Sequence, residues 1–271
     1  MAMALATLLL FAPGVDAAIT LEVRVDAKIE TDVAVHVRVH NIGDEPAEGV
    51  LPDATLLGAS ASGAERAAVP SGFEMTWDVH LPRPTELGTF PLVVIVHYLD
   101  GLGHRMSAPA IHLVRNAGTP PARVTLALEA SPLVTIAAGS VRIVNQEDDP
   151  IAGTLVLITG EELRVVPAER PIEVPAGGTI RVPVELRNLS ALAGSTTSLW
   201  ASLSLRHASY ADTVVASVAV PVVVASSDAP RAIAWPLGAI VVGGAIVWAI
   251  RRWVAPASTP RSRSERRRAP R

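Results

Sequence analysis

Apolar and polar residues alternate with a period of two along most of this chain, and that alternation restricts the possible fold more than any other feature. From residue 33 to residue 40, four valines alternate with Ala34, His36, Arg38 and His40. Successive side chains of a strand point to opposite faces, so this segment predicts a strand that is buried on one face. The pattern predicts further strands at 19–26, 73–81, 90–99, 110–114, 124–128, 141–144, 154–158, 179–186, 199–206 and 214–224. Because turns that contain glycine and proline separate these short segments, we expect an all-β fold.

The second half of the chain repeats motifs of the first. The pattern N-x-x-D-[DE]-P-x-x-G occurs at 41–49 and again at 145–153, with an offset of 104 residues. The pattern V-P-x-G occurs at 69–72 and again at 174–177, with an offset of 105 residues. Two motifs in the same order and at nearly the same offset predict two copies of one β-sandwich, with equivalent turns that superpose.

Consecutive prolines mark a boundary between these copies. Pro120 and Pro121 favour an extended, semi-rigid connector. We therefore place a first sandwich at 18–118, a linker at 119–122 and a second sandwich at 123–226. With such a connector we expect few contacts between the sandwiches, each of which should have its own core.

A 19-residue segment without charge, 232–250, lies near the C-terminus. As a helix it would be about 28 Å long, close to the ~30 Å hydrocarbon core of a bilayer. Tryptophans flank it and two arginines follow it directly, as is typical of interfacial anchors. The expected membrane-anchor residues are Trp235, Trp248, Arg251, Arg252 and Trp253. The segment therefore predicts a single transmembrane helix.

Charge is divided unequally on the two sides of this segment. Residues 251–271 contain eight arginines and one glutamate and carry a charge of +7, whereas residues 18–230 carry −10. The positive-inside rule places the basic tail in the cytoplasm and the preceding residues outside it. A short apolar run at 5–12, followed by small residues, predicts a cleaved signal peptide over 1–17. We therefore expect a single-pass protein of the cell membrane with its sandwiches outside the cytoplasm.

Several turn motifs together resemble a known module. A strand ends in V-x-N-x-G at 39–43, V-P-x-G precedes another strand at 69–72, and residues 98–103 read Y-x-D-x-x-G. The combination resembles bacterial extracytoplasmic immunoglobulin-like modules of the CARDB (cell-adhesion-related) type. Through residues 141–145 and 174–177, the second copy is also similar to the immunoglobulin-like tail of nitrogen-fixation-type cytochrome oxidase accessory proteins. The resemblance implies two tandem immunoglobulin-like β-sandwiches, and it implies an extracytoplasmic location.

The repeated acidic turns are the best candidates for a metal site. Asp44 and Glu45 occupy this turn in the first copy, and Asp148 and Asp149 occupy it in the second. Calcium binds carboxylates on loops, but it requires six to eight oxygen ligands and each turn offers two or three carboxylates. Asn and Asp side chains also form tight turns by hydrogen bonding to nearby backbone, without any ion. We therefore expect turn formation rather than metal binding at both places.

Nothing in the sequence indicates catalysis or a cofactor. The chain contains no cysteine, which excludes thiolate catalysis and Cys-based metal clusters. It contains no P-loop, no G-x-G-x-x-G and no H-E-x-x-H pattern. The basic tail lacks interleaved aromatic residues, so we expect no binding of nucleic acid. The redox role of the oxidase accessory proteins does not carry over either, because their Cys-rich cluster-binding part is missing.

These features predict a non-enzymatic, membrane-anchored protein whose sandwiches act as adhesive or spacer modules. Its expected partners are membrane lipid and a protein or glycan that docks on the exposed faces and edges of the sheets. The alternative is an accessory subunit of a membrane complex, such as an oxidase, a transporter or a secretion assembly. Neighbouring genes for multi-span proteins would favour the alternative.

Overall fold

The computed structural model describes residues 19–116, 122–207 and 210–224, and every helix or strand found among them is a β-strand. The predicted all-β class is confirmed. The first half contains β1 (Leu21–Ile29), β2 (Val33–Asn41), β3 (Ala47–Leu56), β4 (Ala59–Ser62), β5 (Arg66–Val69), β6 (Glu74–Leu81), β7 (Gly88–Leu99) and β8 (Arg105–Asn116). The second half contains β9 (Val124–Ala130), β10 (Ile136–Asn145), β11 (Ile151–Ile158), β12 (Leu163–Val166), β13 (Glu169–Val174), β14 (Thr179–Asn188), β15 (Thr196–Arg206) and β16 (Ala211–Pro221).

Both termini of the chain fall outside the described ranges. The expected signal peptide at 1–17, the expected span at 232–250 and its five anchor residues are therefore not among the described residues. Within the described ranges, no helix has the length and apolar character needed to cross a bilayer.

The two halves have the same strand order. In the first half, one sheet has the order β1-β2-β6, and β3 joins β5 to β7 and β8 in the other. In the second half, the equivalent sheets have the orders β9-β10-β14 and β13-β11-β15-β16. Each half also has one extra strand in a different place: β4 pairs with β3, whereas β12 pairs with β14. The repeated motifs therefore correspond to a repeated topology.

Alternation in the sequence becomes alternation in burial. The four valines of β2 are at most 1% exposed, and the residues between them are only partly buried. These valines belong to one hydrophobic cluster that draws on both sheets of the first half, including Trp77 of β6 and Leu92 of β7. A second cluster, centred on Val141, Leu186 and Leu203, fills the second half in the same way. Each half is thus two sheets packed over their own apolar core.

The halves are nevertheless in close contact, and the expectation of few contacts between them is wrong. The first strand residues of β7 and β16 form a parallel bridge, Gly88 with Ala211, which joins sheets of both halves into one nine-stranded sheet. The hydroxyl of Thr213 donates to the carbonyl of Thr89 at 3.0 Å. β15 also contacts β7 and β8. The described residues of both halves accordingly belong to a single compact unit.

Parallel pairing of β7 and β16 sets the two halves side by side with both strands running the same way. We call the end where β16 finishes the exit end. It carries the loops 41–46, 70–73 and 100–104 of the first half and 131–135, 159–162, 189–195 and 222–224 of the second. We call the other end the far end. It carries the turns 57–58 and 82–87 of the first half and 145–150 and 175–178 of the second.

Candidate functional site at the junction of the two halves

The first acidic turn is organised by a buried asparagine. The side-chain amide of Asn41 donates to the carbonyl of Glu45 at 2.7 Å and to that of Val69 at 3.0 Å. Its side-chain oxygen accepts from the backbone amide of Gly43 at 3.0 Å. Asn41 has no exposed surface, so these bonds satisfy its polar atoms without water.

The second acidic turn is built in the same way. The amide of Asn145 donates to the carbonyl of Asp149 at 2.9 Å and to those of Val174 and Pro175 at 3.3 and 3.0 Å. The side-chain oxygen of Asn145 accepts from the backbone amide of Glu147 at 2.9 Å. The asparagine therefore links each acidic turn to the V-P-x-G turn beside it.

The structure does not bring the four acidic candidates together. Asp44 and Glu45 lie at the exit end, whereas Asp148 and Asp149 lie at the far end. The side chain of Asp148 is fully exposed and lies 3.9 Å from the guanidinium of Arg123. Within the described ranges, no three His, Asp or Glu side chains are arranged to hold a metal ion.

A buried carboxylate that sequence reasoning missed lies between the halves. Glu162 follows β11, and only 4% of its surface is exposed. Its carboxylate accepts from the hydroxyl of Thr197 at 2.9 Å and from the backbone amide of Ser107 in the first half at 3.4 Å. Its carbonyl accepts from the amides of Leu189 and Ser190 at 2.9 and 3.2 Å. One glutamate thus links β15, a neighbouring loop and the first half.

Neighbouring polar groups add to this link. The backbone amide of Glu161 donates to the hydroxyl of Ser107 at 2.8 Å. His97 of β7 lies between two carboxylates, with Nε2 3.3 Å from Asp53 and Nδ1 3.2 Å from Glu161. Asp53 belongs to the first half and Glu161 to the second, so the imidazole connects the halves through an ion pair when it is protonated.

Burial changes the titration of groups at this junction. Desolvation raises the pKa of Glu162, with the charge of Glu161 adding to the effect, although its hydrogen bonds partly oppose the rise. Desolvation likewise raises the pKa of Tyr98, and the nearby charges of Glu162 and Asp100 raise it further. At Asp100, desolvation would raise the pKa, but the backbone and side chain of His104 and the backbone of Leu102 hydrogen-bond to the carboxylate and hold its pKa below the ordinary value.

A cleft of about 560 Å³ opens between the halves near the far end. Leu57 and Pro91 of the first half line one side. Thr154, Ser204 and Thr213, which are neighbours across three strands of the second half, line the other. The volume is within the range of small-molecule sites, and the lining combines apolar surface with hydroxyl donors.

The junction can hold the halves in one arrangement, and its chemistry is that of hydrogen bonding and ion pairing. No pattern in the sequence predicts this junction, because the residues that form it are small or polar and come from distant positions. The one available signal is the acidic pair 161–162 beside Gly160, where an added Cβ would overlap the carbonyl oxygen of Ser107. A glycine followed by acids on a short loop is too common to identify a junction.

Comparison with known proteins gives no family for this chain. No family model matches it, and no curated protein does so. A solved structure of a mutant alpha-2-macroglobulin from Salmonella is 14% identical, with a TM-score of 0.33, and the match covers 76% of this chain and 16% of that protein. A trypsin-activated alpha-2-macroglobulin from Escherichia coli is 12% identical, with a TM-score of 0.31 and coverage of 75% and 18%.

A transglutaminase from red sea bream is similar at a lower score. It is 14% identical, with a TM-score of 0.23, and the match covers 76% of this chain and 31% of that protein. The chain therefore spans less than a third of each of these three proteins. These scores are too low to assign a function or a detailed fold by similarity.

Proposed function

We propose that this protein is a non-enzymatic interaction protein that presents two immunoglobulin-like β-sandwiches outside the cytoplasm on a single transmembrane anchor. The repeated sheet orders support the immunoglobulin-like part, because that fold packs a sheet containing the first two strands and a later one against a second sheet of the remaining strands. The uncharged segment 232–250 and the +7 tail after it support the anchor.

The observation that carries this proposal is the use of two ionisable groups at the junction, the buried Glu162 and the half-buried His97. Glu162 and His97 are engaged in bonds that join one half to the other, so they serve the rigidity of the pair. A rigid pair presents its outer surfaces in fixed positions, which lowers the entropy cost of binding a partner. The arrangement is therefore suited to display rather than to chemistry on a substrate.

The outer face of the β1-β2-β6 sheet is the surface that we propose for a protein or glycan partner. It carries rows of polar side chains in which His36 lies 2.8 Å from Asp78 and Arg38 lies 2.9 Å from Asp26. These pairs are exposed, so they contribute little to stability and remain able to exchange partners. Binding of nucleic acid is not proposed, since residues 18–230 carry −10 and would repel phosphates.

The anchor is tested by reporter fusions on the full chain. A reporter fused after Arg271 should be active only in the cytoplasm, and a reporter inserted after Ala225 only outside it. The reverse pattern would contradict the proposed orientation, and two cytoplasmic reporters would exclude the anchor.

The interaction role is tested by photo-crosslinking in intact cells. Crosslinkers at His36 and Thr76, on the outer face, should capture a discrete surface partner, whereas crosslinkers at the exposed residues Arg170 and Glu173 of β13 should not. Equal capture at the outer-face positions and at the two β13 positions would remove the support for this surface. Capture of one multi-span membrane protein would move the protein to the accessory-subunit role.

A further inference from the structure

Large apolar side chains that remain exposed are concentrated at the exit end. The described ranges contain twelve of them, and nine lie in the loops or strand ends of the exit end. These nine are Ile42, Phe73, Leu102, Val134, Ile136, Leu189, Leu192, Val223 and Val224. Two others, Leu57 and Leu87, lie at the far end, and Val166 lies between the ends. Scattered single residues are ordinary on a protein surface, whereas their concentration at one end makes that end the candidate contact surface.

The most exposed of these side chains are held outward by hydrogen-bonded loops. Leu102 is 80% exposed on the β7–β8 turn, where the amide of Gly103 donates to the carbonyl of Asp100 at 2.9 Å. Phe73 is 62% exposed, and its carbonyl accepts from the amide of Asn41 at 3.0 Å. These bonds fix the loop backbones, so the loops cannot rearrange to turn these side chains inward.

The second half adds its own exposed residue beside the junction. Leu189 is 61% exposed, and its amide donates to the carbonyl of the buried Glu162 at 2.9 Å. The contacts between Glu161 and Ser107 hold this loop region close to the exit end of the first half. The exposed apolar residues of both halves therefore belong to one end of a rigid pair.

The chain leaves the described unit at this same end. β16 finishes at Pro221, and Val222 pairs with Leu133 before the chain reaches Val224. Seven residues, 225–231, separate Val224 from the uncharged segment 232–250. Seven extended residues reach at most about 25 Å, so a bilayer that contains 232–250 must lie within that distance of Val224.

We propose that the exit end rests on the bilayer and inserts Phe73, Leu102 and Leu189 into its interfacial region. This inference rests on the proposed membrane anchor. The side chains protrude singly from separate loops of both halves, which fits a fluid lipid surface better than the shaped pocket of a protein partner. Each inserted side chain removes apolar surface from water, and the anchor supplies a high local concentration of lipid. The contact would fix the sandwiches in one orientation on the membrane.

The absence of cysteine makes a site-specific test direct. Phe73→Cys, Leu102→Cys and Leu189→Cys provide single labelling sites at the exit end. Leu57→Cys and Leu87→Cys are matched controls at the far end, where the native side chains are 58% and 50% exposed. Each full-length variant is labelled with an environment-sensitive fluorophore and reconstituted into phosphatidylcholine vesicles that contain lipids spin-labelled near the headgroup. An unchanged thermal transition confirms that each variant is folded.

We expect blue-shifted emission and quenching by the spin-labelled lipids at the three exit-end sites. The two far-end labels should keep their aqueous emission and be quenched by iodide in solution. Iodide-accessible, lipid-insensitive labels at residues 73, 102 and 189 would overturn the inference. Blue-shifted emission at these sites in native membranes but not in the vesicles would also overturn it, because a protein partner would then cover them.

A label within the expected span separates this inference from the anchor on which it rests. Val241→Cys lies at the centre of 232–250. If deep spin-labelled lipids quench this label while the exit-end labels stay aqueous, the anchor stands and the surface contact is wrong. If the label at residue 241 is itself accessible to iodide, both the anchor and the contact are wrong.

Discussion

Asn41 and Asn145 occupy the same position in the two halves and make the same kind of hydrogen bonds. Each is the last residue of its strand, is at most 1% exposed, and donates its side-chain amide to the acidic turn and to the V-P-x-G turn. The repeated N-x-x-D-[DE]-P-x-x-G pattern therefore begins, in each half, with an asparagine whose side chain joins two turns at one end of the sandwich.

Replacing either asparagine should destabilise the protein strongly. Asn41→Ala and Asn145→Ala each leave buried carbonyl groups without a donor, which costs about 1–3 kcal/mol for each group left unsatisfied. Gln146→Ala, at the exposed residue that follows Asn145, should change the free energy of unfolding by less than about 0.5 kcal/mol. Chemical denaturation measures all three. Equal effects at residues 145 and 146 would contradict this role of the asparagine.

Glu162 should make stability depend on pH in a defined direction. Burial raises its pKa above the ordinary 4.5, so the folded state holds the proton more tightly than the unfolded state does. As pH rises from about 4.5 through the folded pKa, the folded state therefore loses stability relative to the unfolded state. Glu162→Gln should remove this loss of stability with rising pH, because the side-chain amide of glutamine does not ionise.

The control for this titration is Glu173→Gln, at an exposed position of β13. It should keep the pH dependence of the parent protein in denaturation experiments between pH 4 and 8. If the free energy of unfolding changes equally with pH in Glu162→Gln and in the parent protein, ionisation of Glu162 does not contribute to the pH dependence of stability.

Gly88 should tolerate no side chain, because both its backbone and its surroundings require glycine. Its φ is +138°, and an added Cβ would overlap the carbonyl oxygen of Ala211 across the junction. Gly58 has φ of +82° with nothing within 4 Å of an added Cβ. Gly58→Ala therefore measures backbone strain alone, about 1–2 kcal/mol.

Gly88→Ala should cost clearly more than Gly58→Ala, since the junction must shift as well. We expect an added loss of about 1–3 kcal/mol, as for overpacking in a core. Thermal and chemical unfolding compare the two variants. A similar cost at both glycines would show that the two halves can move apart at the bridge without penalty.

The two faces of β14 should differ sharply in sensitivity. Val184 is 5% exposed and belongs to the core of the second half, so Val184→Asp places an unpaired charge there at a cost of several kcal/mol. Glu185 pairs with Arg187 at the surface, 2.6 Å apart, and Glu185→Arg should cost less than about 1 kcal/mol. Equal losses of unfolding free energy in the two variants would contradict the two-layer arrangement.

Alternation predicted the strands that are buried on one face, but not those that depend on tertiary context. The predicted strand at 33–40 corresponds to β2, and the prediction at 179–186 lies within β14. β3 was missed because it contains Gly49, Pro52 and Asp53, which are unfavourable in strands.

Tertiary pairing explains how β3 tolerates its proline. β5 pairs with β3 from Ala47 to Val50, and β4 pairs with it from Asp53 to Leu56. Pro52 lies between these two partners, so its missing N–H leaves no ladder hydrogen bond unmade on that side. Local sequence could not show this, because the two partner strands come later in the chain.

The junction could not be predicted for a related reason. Its contacts join Thr89 to Thr213 and Ser107 to Glu161, pairs that lie far apart in the sequence and follow no period. The consecutive prolines 120–121 led to the expectation of few contacts, but a connector of this composition does not prevent two sandwiches from packing along their sides. Contact between them depends on shape complementarity at Gly88 and Gly160, which the alternation does not encode.

The parallel bridge between Gly88 and Ala211 also limits how far the pair can reach. Two sandwiches joined end to end would span about twice the length of one, whereas side-by-side packing keeps the span near that of a single eleven-residue strand such as β16, on the order of 35 Å. The chain enters β1 and leaves after β16 at one and the same end. The pair is therefore a short, broad platform rather than a stalk, and a partner bound to the outer face of the β1-β2-β6 sheet stays within about one sandwich length of the end where the chain enters and leaves.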